Sequence, residues 1–227
     1  MERIHYSLLA AMFEYPASGY PQSVRDIRDF LEGRYAKAGA ELDCFLEYLP
    51  AHDLMTMQEL YTRSFDVQAA TTLDIGYVLF GDDYKRGEML SNLNREHVEA
   101  GIDCGTELAD FLPNLLRLLA AHEDEDLVHD LVNAILAPAL RAMIGEFDPD
   151  RIKKRNASYV KHYKTLIETP DVGTDAVTLY RFALQSLYQV LKQDFSLVES
   201  IPLKLTNDFL ASVGRENEIE ENANTEY

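Results

Sequence analysis

The stretch Asp110-Phe111-Leu112-Pro113-Asn114-Leu115-Leu116-Arg117-Leu118-Leu119-Ala120-Ala121 has the spacing of an amphipathic helix. Leu112, Leu115, Leu116 and Leu119 fall at i, i+3, i+4 and i+7, which is one face of a 3.6-residue period. Pro113 occupies a first-turn slot, where a missing amide costs nothing. Asp110 stands just ahead, so the spacing predicts its carboxylate as the cap for the first-turn amides.

The same period runs outward in both directions. Toward the N-terminus, residues 84–101 carry Met89, Leu90, Leu93 and His97, with Gly101 as the stop. Leu54, Met57, Leu60 and Tyr61 follow a capping Asp53, while Leu42, Phe45, Leu46 and Leu49 precede Pro50. Pro21 opens a helix with Val24, Ile27, Phe30 and Leu31, and residues 2–14 form another that Tyr15-Pro16 ends. Toward the C-terminus, helices are predicted over 124–143, near 149–168 and near 174–193, with Pro138 expected to kink or end the first. Residues 66–82 break the rhythm and read as a long apolar connection. No segment alternates with period two between hairpin turns. The expectation is an all-α, single-domain helical bundle over 1–214, followed by an acidic tail, 215–227, without a periodic apolar face and so disordered.

Composition narrows the function. Of 227 residues, 21 are Lys or Arg and 39 Asp or Glu, a net charge of −18, which opposes binding to nucleic acid and attracts cationic partners. A hydrophobic fraction of 47% supports an ordinary core. Cys44 and Cys104 form no metal-binding or disulfide pattern, and a reducing compartment is expected. The start lacks a signal sequence, and uninterrupted apolar runs fall short of the roughly 18 residues of a membrane span. A cytoplasmic location follows as the expectation.

Catalytic chemistry finds few footholds. One Asp-x-x-His, Asp126 to His129, lacks the second copy that a carboxylate-bridged metal pair in a bundle needs. It equally reads as an acidic helix start with a solvated histidine. No nucleophile elbow is present, neither cysteine has an activating neighbour, and no glycine-rich phosphate loop occurs. Asp82 and Asp83 read as cap residues for the helix that follows, but Lys85 and Arg86 in its first turn oppose the helix dipole. That placement points to another task, such as pairing with a carboxylate.

A series of motifs carries a resemblance. Phe65-Asp66 closes a helix, an apolar loop follows, then Arg86-Gly87, Gly101, and Glu107-Leu108-Ala109-Asp110-Phe111-Leu112-Pro113. With the opening Leu8-Leu9 to Tyr15-Pro16, this order resembles the molybdoenzyme assembly chaperones, the redox-enzyme maturation proteins of the NarJ, TorD and DmsD group. It covers roughly residues 4–145. Ala109 and Phe111 stand where the family usually has proline and tyrosine or histidine, and the loop tryptophan of the signal-peptide-binding branch is absent. The chain is therefore most similar to the nitrate reductase delta subunit branch.

The resemblance implies a TorD-like helical fold and a cytoplasmic, non-catalytic chaperone without a cofactor of its own. Its partner would be the N-terminal or leader peptide of a molybdopterin oxidoreductase catalytic subunit, held until cofactor insertion. Neither nucleic acid nor stable membrane insertion is expected, and the chaperone would be a monomer or dimer. The candidate peptide-binding residues are Tyr77, Leu79, Phe80, Arg86, Glu107, Asp110 and Phe111, with Phe65, Asp66, Gly87 and Pro113 as structural motif residues. Tyr77 and Phe80 equally read as core plugs, and Arg86 as the ion-pair partner of Asp110 or Glu107, fixing the loop. A carboxylate-metal enzyme around Asp126 and His129, and a helical adaptor for a folded protein, remain the alternatives.

Overall fold

A helix forms where an apolar stripe can be buried and its end groups find partners, and both conditions recur along this chain. A computed structural model describes residues 3–154 and 178–197. Among them are helices α1 His5–Ala10, α2 Tyr20–Leu31, α3 Ala36–Tyr48, α4 Leu54–Phe65, α5 Ile75–Phe80, α6 Tyr84–Glu99, α7 Leu112–Ala121, α8 Glu125–Asp130, α9 Ala137–Glu146 and α10 Tyr180–Asp194. Residues 149–154 are helical as well. No strand occurs among the described residues, only an isolated antiparallel bridge between Asp74 and Phe111. The architecture is all-α.

Several local signals act as the sequence suggests. Asp53 caps α4 by accepting from the Thr56 amide at 3.2 Å, and Asp83 caps α6 by accepting from the Lys85 amide at 2.9 Å. Gly101 follows α6 at φ +70°, the left-handed stop that lets the Ile102 amide turn back to the His97 carbonyl at 2.8 Å. Phe65 ends α4, with Asp66 as the residue after it.

Other expectations need correction. The connection 66–82 contains α5, a short helix over most of its apolar run. The first helix yields to a 3-10 turn at Ala11–Phe13, and α3 begins at Ala36, earlier than its apolar run suggests. Pro138 neither ends nor interrupts the helical path. A π-helical segment, Leu131–Leu136, joins α8 to α9, and the Ala137 amide bonds to the Val132 carbonyl five residues back. This wider turn ahead of the proline shifts the hydrogen-bond register past its missing amide. The continuous helix Glu125–Glu146 is, among the described residues, the segment long and apolar enough to cross a membrane, and most of it is buried in the fold. The tail 215–227, and the greater part of the helix expected near 149–168, lie outside the described residues.

The chain groups into two compact units. Of the described residues, 3–10, 74–139 and 191–197 make one, and 11–73, 140–154 and 178–190 make the other. In the first, α1 packs along α7, and buried Arg3 closes the end of α7. Its Nε donates to the Leu119 carbonyl at 3.0 Å, its guanidinium reaches the His122 carbonyl, and it pairs with Glu125 at 2.6 Å. His5 and Tyr6 both contact the Asp194 carboxylate, at 2.8 and 2.9 Å.

In the second unit α2 packs on α3. The Tyr20 and Tyr61 hydroxyls donate to the Met12 and Phe13 carbonyls, at 2.7 and 3.0 Å. Phe65 belongs to this core. Its ring lies 5.2 Å from that of Tyr61 and 4.9 Å from that of Tyr180, both edge-on. Asp66 is exposed beside it.

Candidate functional site

The start of α5 is fixed by one residue far along the chain. Asp110, fully buried, meets the start of α5 twice. Its carbonyl accepts from the Ile75 amide at 2.9 Å, and its carboxylate oxygen Oδ2 accepts from the Gly76 amide at 3.1 Å. Two of the amides that a helix start leaves without partners are thereby satisfied from 34 residues away. The expected role of Asp110 as cap of α7 is overturned: α7 begins after Phe111 with no side-chain cap. Asp110 caps α5 instead.

Arg86 explains its own position against the helix dipole. Its Nε donates to Asp110 Oδ2 at 3.0 Å, and its terminal nitrogen donates to Asp74 Oδ2 at 2.9 Å, with a longer 3.5 Å approach to Asp110 Oδ1. A buried carboxylate requires such charge-assisted partners. The pairing expected between Arg86 and Asp110 is present. Asp74 precedes α5, and its carboxylate makes no cap bond to that helix but turns to Arg86.

Gly76 allows this assembly to close. A Cβ there would lie 2.3 Å from Met89 Cε, 2.7 Å from Asp110 Oδ2 and 3.1 Å from Arg86 Cγ. Next to it the Tyr77 ring stands 5.4 Å from the Arg86 guanidinium carbon, a cation–π distance. Tyr77 is 42% exposed, and Leu79, Phe80 and Phe111 are part-buried. Glu107 is exposed and lies outside the ion pair, its amide donating to the Cys104 carbonyl at 3.3 Å. Gly87 is exposed, and nothing stands within 4 Å of where its Cβ would be. Pro113 sits buried in the first turn of α7 as its position predicts.

The 104–108 turn ahead of Asp110 is tied to α7 by buried Asn114. Its side-chain amide donates to the Leu108 carbonyl at 3.0 Å and approaches the Cys104 carbonyl at 3.4 Å. Buried His97 of α6 contacts the Asn114 carbonyl at 3.3 Å, so α6 and α7 share this support. Asp74, Gly76 and Asn114 escaped the sequence reading. Asp74 had a signal, an aspartate directly before an apolar run.

No family model matches the chain, and no curated protein matches it.

Elsewhere the geometry is plain. The Asp126 amide is held by the Asp124 carboxylate at 2.9 Å, and the His129 ring lies edge-on to Phe195 at 5.1 Å. No three His, Cys, Asp or Glu side chains converge in a metal-holding group among the described residues. Burial, then the charge of Asp103, pushes the Cys104 thiol above its ordinary value, which disfavours the thiolate.

Burial raises the Asp74 carboxyl above its ordinary 3.8, the charge of Asp110 adds to this, and Arg86 opposes it. The folded chain therefore binds this proton more tightly than the unfolded chain. The stability contributed by Asp74 is full below 3.8 and declines as pH rises through the raised folded value. Denaturant midpoints of wild type and Asp74→Asn, compared from about pH 3 to about pH 7, should shift in favour of the variant as pH rises. A difference that stays constant across that window would contradict a raised carboxyl.

Proposed function

We propose that this chain is a cytoplasmic, non-catalytic chaperone of the TorD-like helical type. It binds the N-terminal or leader peptide of a molybdopterin oxidoreductase catalytic subunit and supports cofactor insertion and assembly before partner docking or export. The observation that carries this reading is the presentation of α5. A buried ion pair fixes the first turn, while Tyr77, Leu79 and Phe80 stay at least partly at the surface, next to exposed Asp82 and Asp83.

Such a face suits an amphipathic, basic peptide. Apolar anchors supply most of the affinity, and the charge of −18 speeds encounter and makes it salt-sensitive. The serial order of the motifs, from Phe65-Asp66 through Arg86-Gly87 to Pro113, supports the same family. The ion pair of Arg86 with Asp110 gives two of these motifs a joint purpose, shaping the face whether or not they touch the client.

Calorimetric titration with a synthetic N-terminal peptide of such a catalytic subunit tests the reading. Binding at micromolar concentration or tighter, weakening from low to high salt, is expected. Phe80→Ala should lose about 1–2 kcal/mol of binding with little change in melting temperature. Unchanged affinity with lowered melting would return the ring to the core. Capture of only folded partners, with no heat from any such peptide, would favour an adaptor.

A further inference from the structure

The two ends of the α5 face differ in charge. At its start a cation is already in place. The Arg86 guanidinium carbon lies 5.4 Å from the Tyr77 ring, and Asp74 and Asp110 hold it there. A second cation at this end would meet a like charge.

The other end is open. A helix leaves its last four carbonyls without intrahelical donors, and in α5 these belong to Tyr77, Val78, Leu79 and Phe80. The chain departs through Gly81 at φ +61°. The Gly81 amide donates to the Tyr77 carbonyl at 2.8 Å, and the Asp83 amide to the Phe80 carbonyl at 3.2 Å. Among the described residues no donor meets the Val78 and Leu79 carbonyls. Asp82 stands in this turn, exposed, and its carboxylate makes no hydrogen bond or ion pair among the described residues. Its neighbour Asp83 is occupied as the cap of α6.

Residues 78–82 thus present two carbonyls and a carboxylate, acceptors that carry no proton of their own. Lysine and arginine are the side chains that bring donors and a positive charge together. We propose that the end of α5 pins one lysine or arginine side chain of the bound peptide, on Asp82 with the Val78 and Leu79 carbonyls, and so sets where the apolar residues of that peptide lie along Tyr77 and Phe80. The contact rests on the peptide-binding reading above and adds a register to it. Attraction by a net charge of −18 is diffuse and treats every basic residue alike. A pin selects one. Tyr77 and Phe80 stand at i and i+3 on α5, on one side of the helix. A helical peptide matches them when its pinned cation lies three or four positions from a large apolar residue.

The test is a charge exchange across the contact. A synthetic N-terminal peptide of a molybdopterin oxidoreductase catalytic subunit is titrated into the full chain at about 0.15 M salt, where long-range attraction is largely screened. It is used in its natural form and with each Lys or Arg changed singly to Glu. One of these changes should weaken binding to wild type far more than the others. Asp82→Lys should weaken the natural peptide about five- to tenfold, because an exposed attraction becomes a repulsion of similar size. The same variant should bind the one sensitive Glu peptide within about twofold of the wild-type pair. Glu123→Lys, exposed beyond the end of α7, makes the same change in net charge. It should weaken the natural peptide by less than about twofold and rescue no Glu peptide. Melting temperatures of both variants should match wild type. Equal losses in the two variants, or an Asp82→Lys loss that no Glu peptide restores, would overturn the pin. Binding by wild type that ignores Asp82→Lys removes the pin and leaves the peptide-binding reading standing. No binding of the natural peptide by wild type removes both.

Discussion

Asp110→Ala is expected to lose about 3 kcal/mol of stability, the lower end for breaking a buried ion pair. The substitution leaves two groups in difficulty. The Arg86 guanidinium, with a side chain only 17% exposed, retains Asp74 alone, and the buried Gly76 amide loses its acceptor. Asp74 is the reason to expect the lower end, because it still neutralises part of the charge. Asp110→Asn keeps an acceptor for Gly76 and should cost less, about 1–2 kcal/mol. Arg86→Met should be comparable to Asp110→Ala, since it strands a carboxylate with no exposure at all. The double variant Arg86→Met/Asp110→Ala removes both charges, so its loss should fall well short of the sum of the two single losses. Urea midpoints read all four, and hydrogen exchange at Ile75 to Tyr77 reports whether α5 loosens before the rest. An Asp110→Ala midpoint close to wild type, or strict additivity in the double variant, would show that the ion pair does not hold the connection.

The helices were legible where one face of a segment is buried by its own periodicity, as in Leu112, Leu115, Leu116 and Leu119. They were illegible where the decisive partner is remote. Residues Ile75–Phe80 are apolar throughout with a glycine inside, so they show no face, and six residues are too few to be helical alone. Their cap comes from Asp110, and nothing near residue 75 announces it. Arg86 carried a usable hint, a cation placed against the helix dipole, and its two carboxylates explain it. Proline rules led to a kink or an end at Pro138, and the helix does not end there. Ahead of the proline the backbone slips one residue in register over Leu131–Leu136. For the candidate site, residue types and order were readable, whereas Gly76 and Asn114 act through close approach and backbone carbonyls that no pattern encodes.

Gly76→Ala should destabilise the fold by about 1–3 kcal/mol, the range for forcing a methyl into a packed site. Glycine inside a helix is ordinarily worse than alanine by about 1 kcal/mol, so the expected sign is opposite to the propensity rule. Three atoms crowd the new methyl, and the two nearest differ in freedom. Met89 Cε, 2.3 Å from where that methyl would sit, ends a flexible side chain and can swing aside. Asp110 Oδ2, at 2.7 Å, cannot, because Arg86 Nε at 3.0 Å and the Gly76 amide at 3.1 Å hold it from two sides. Gly87→Ala supplies the contrast one helix later, where the residue is exposed and nothing lies within 4 Å. There the propensity rule operates unopposed, and a gain of about 0.5–1 kcal/mol is expected. Paired urea denaturations of the two variants check both signs at once, and a stabilising Gly76→Ala would remove the argument for close approach. Met89→Ala in the Gly76→Ala background locates the obstruction. A loss smaller than the sum of the singles places it at the methionine, whereas additive losses leave the pinned carboxylate oxygen of Asp110 as the atom that will not move.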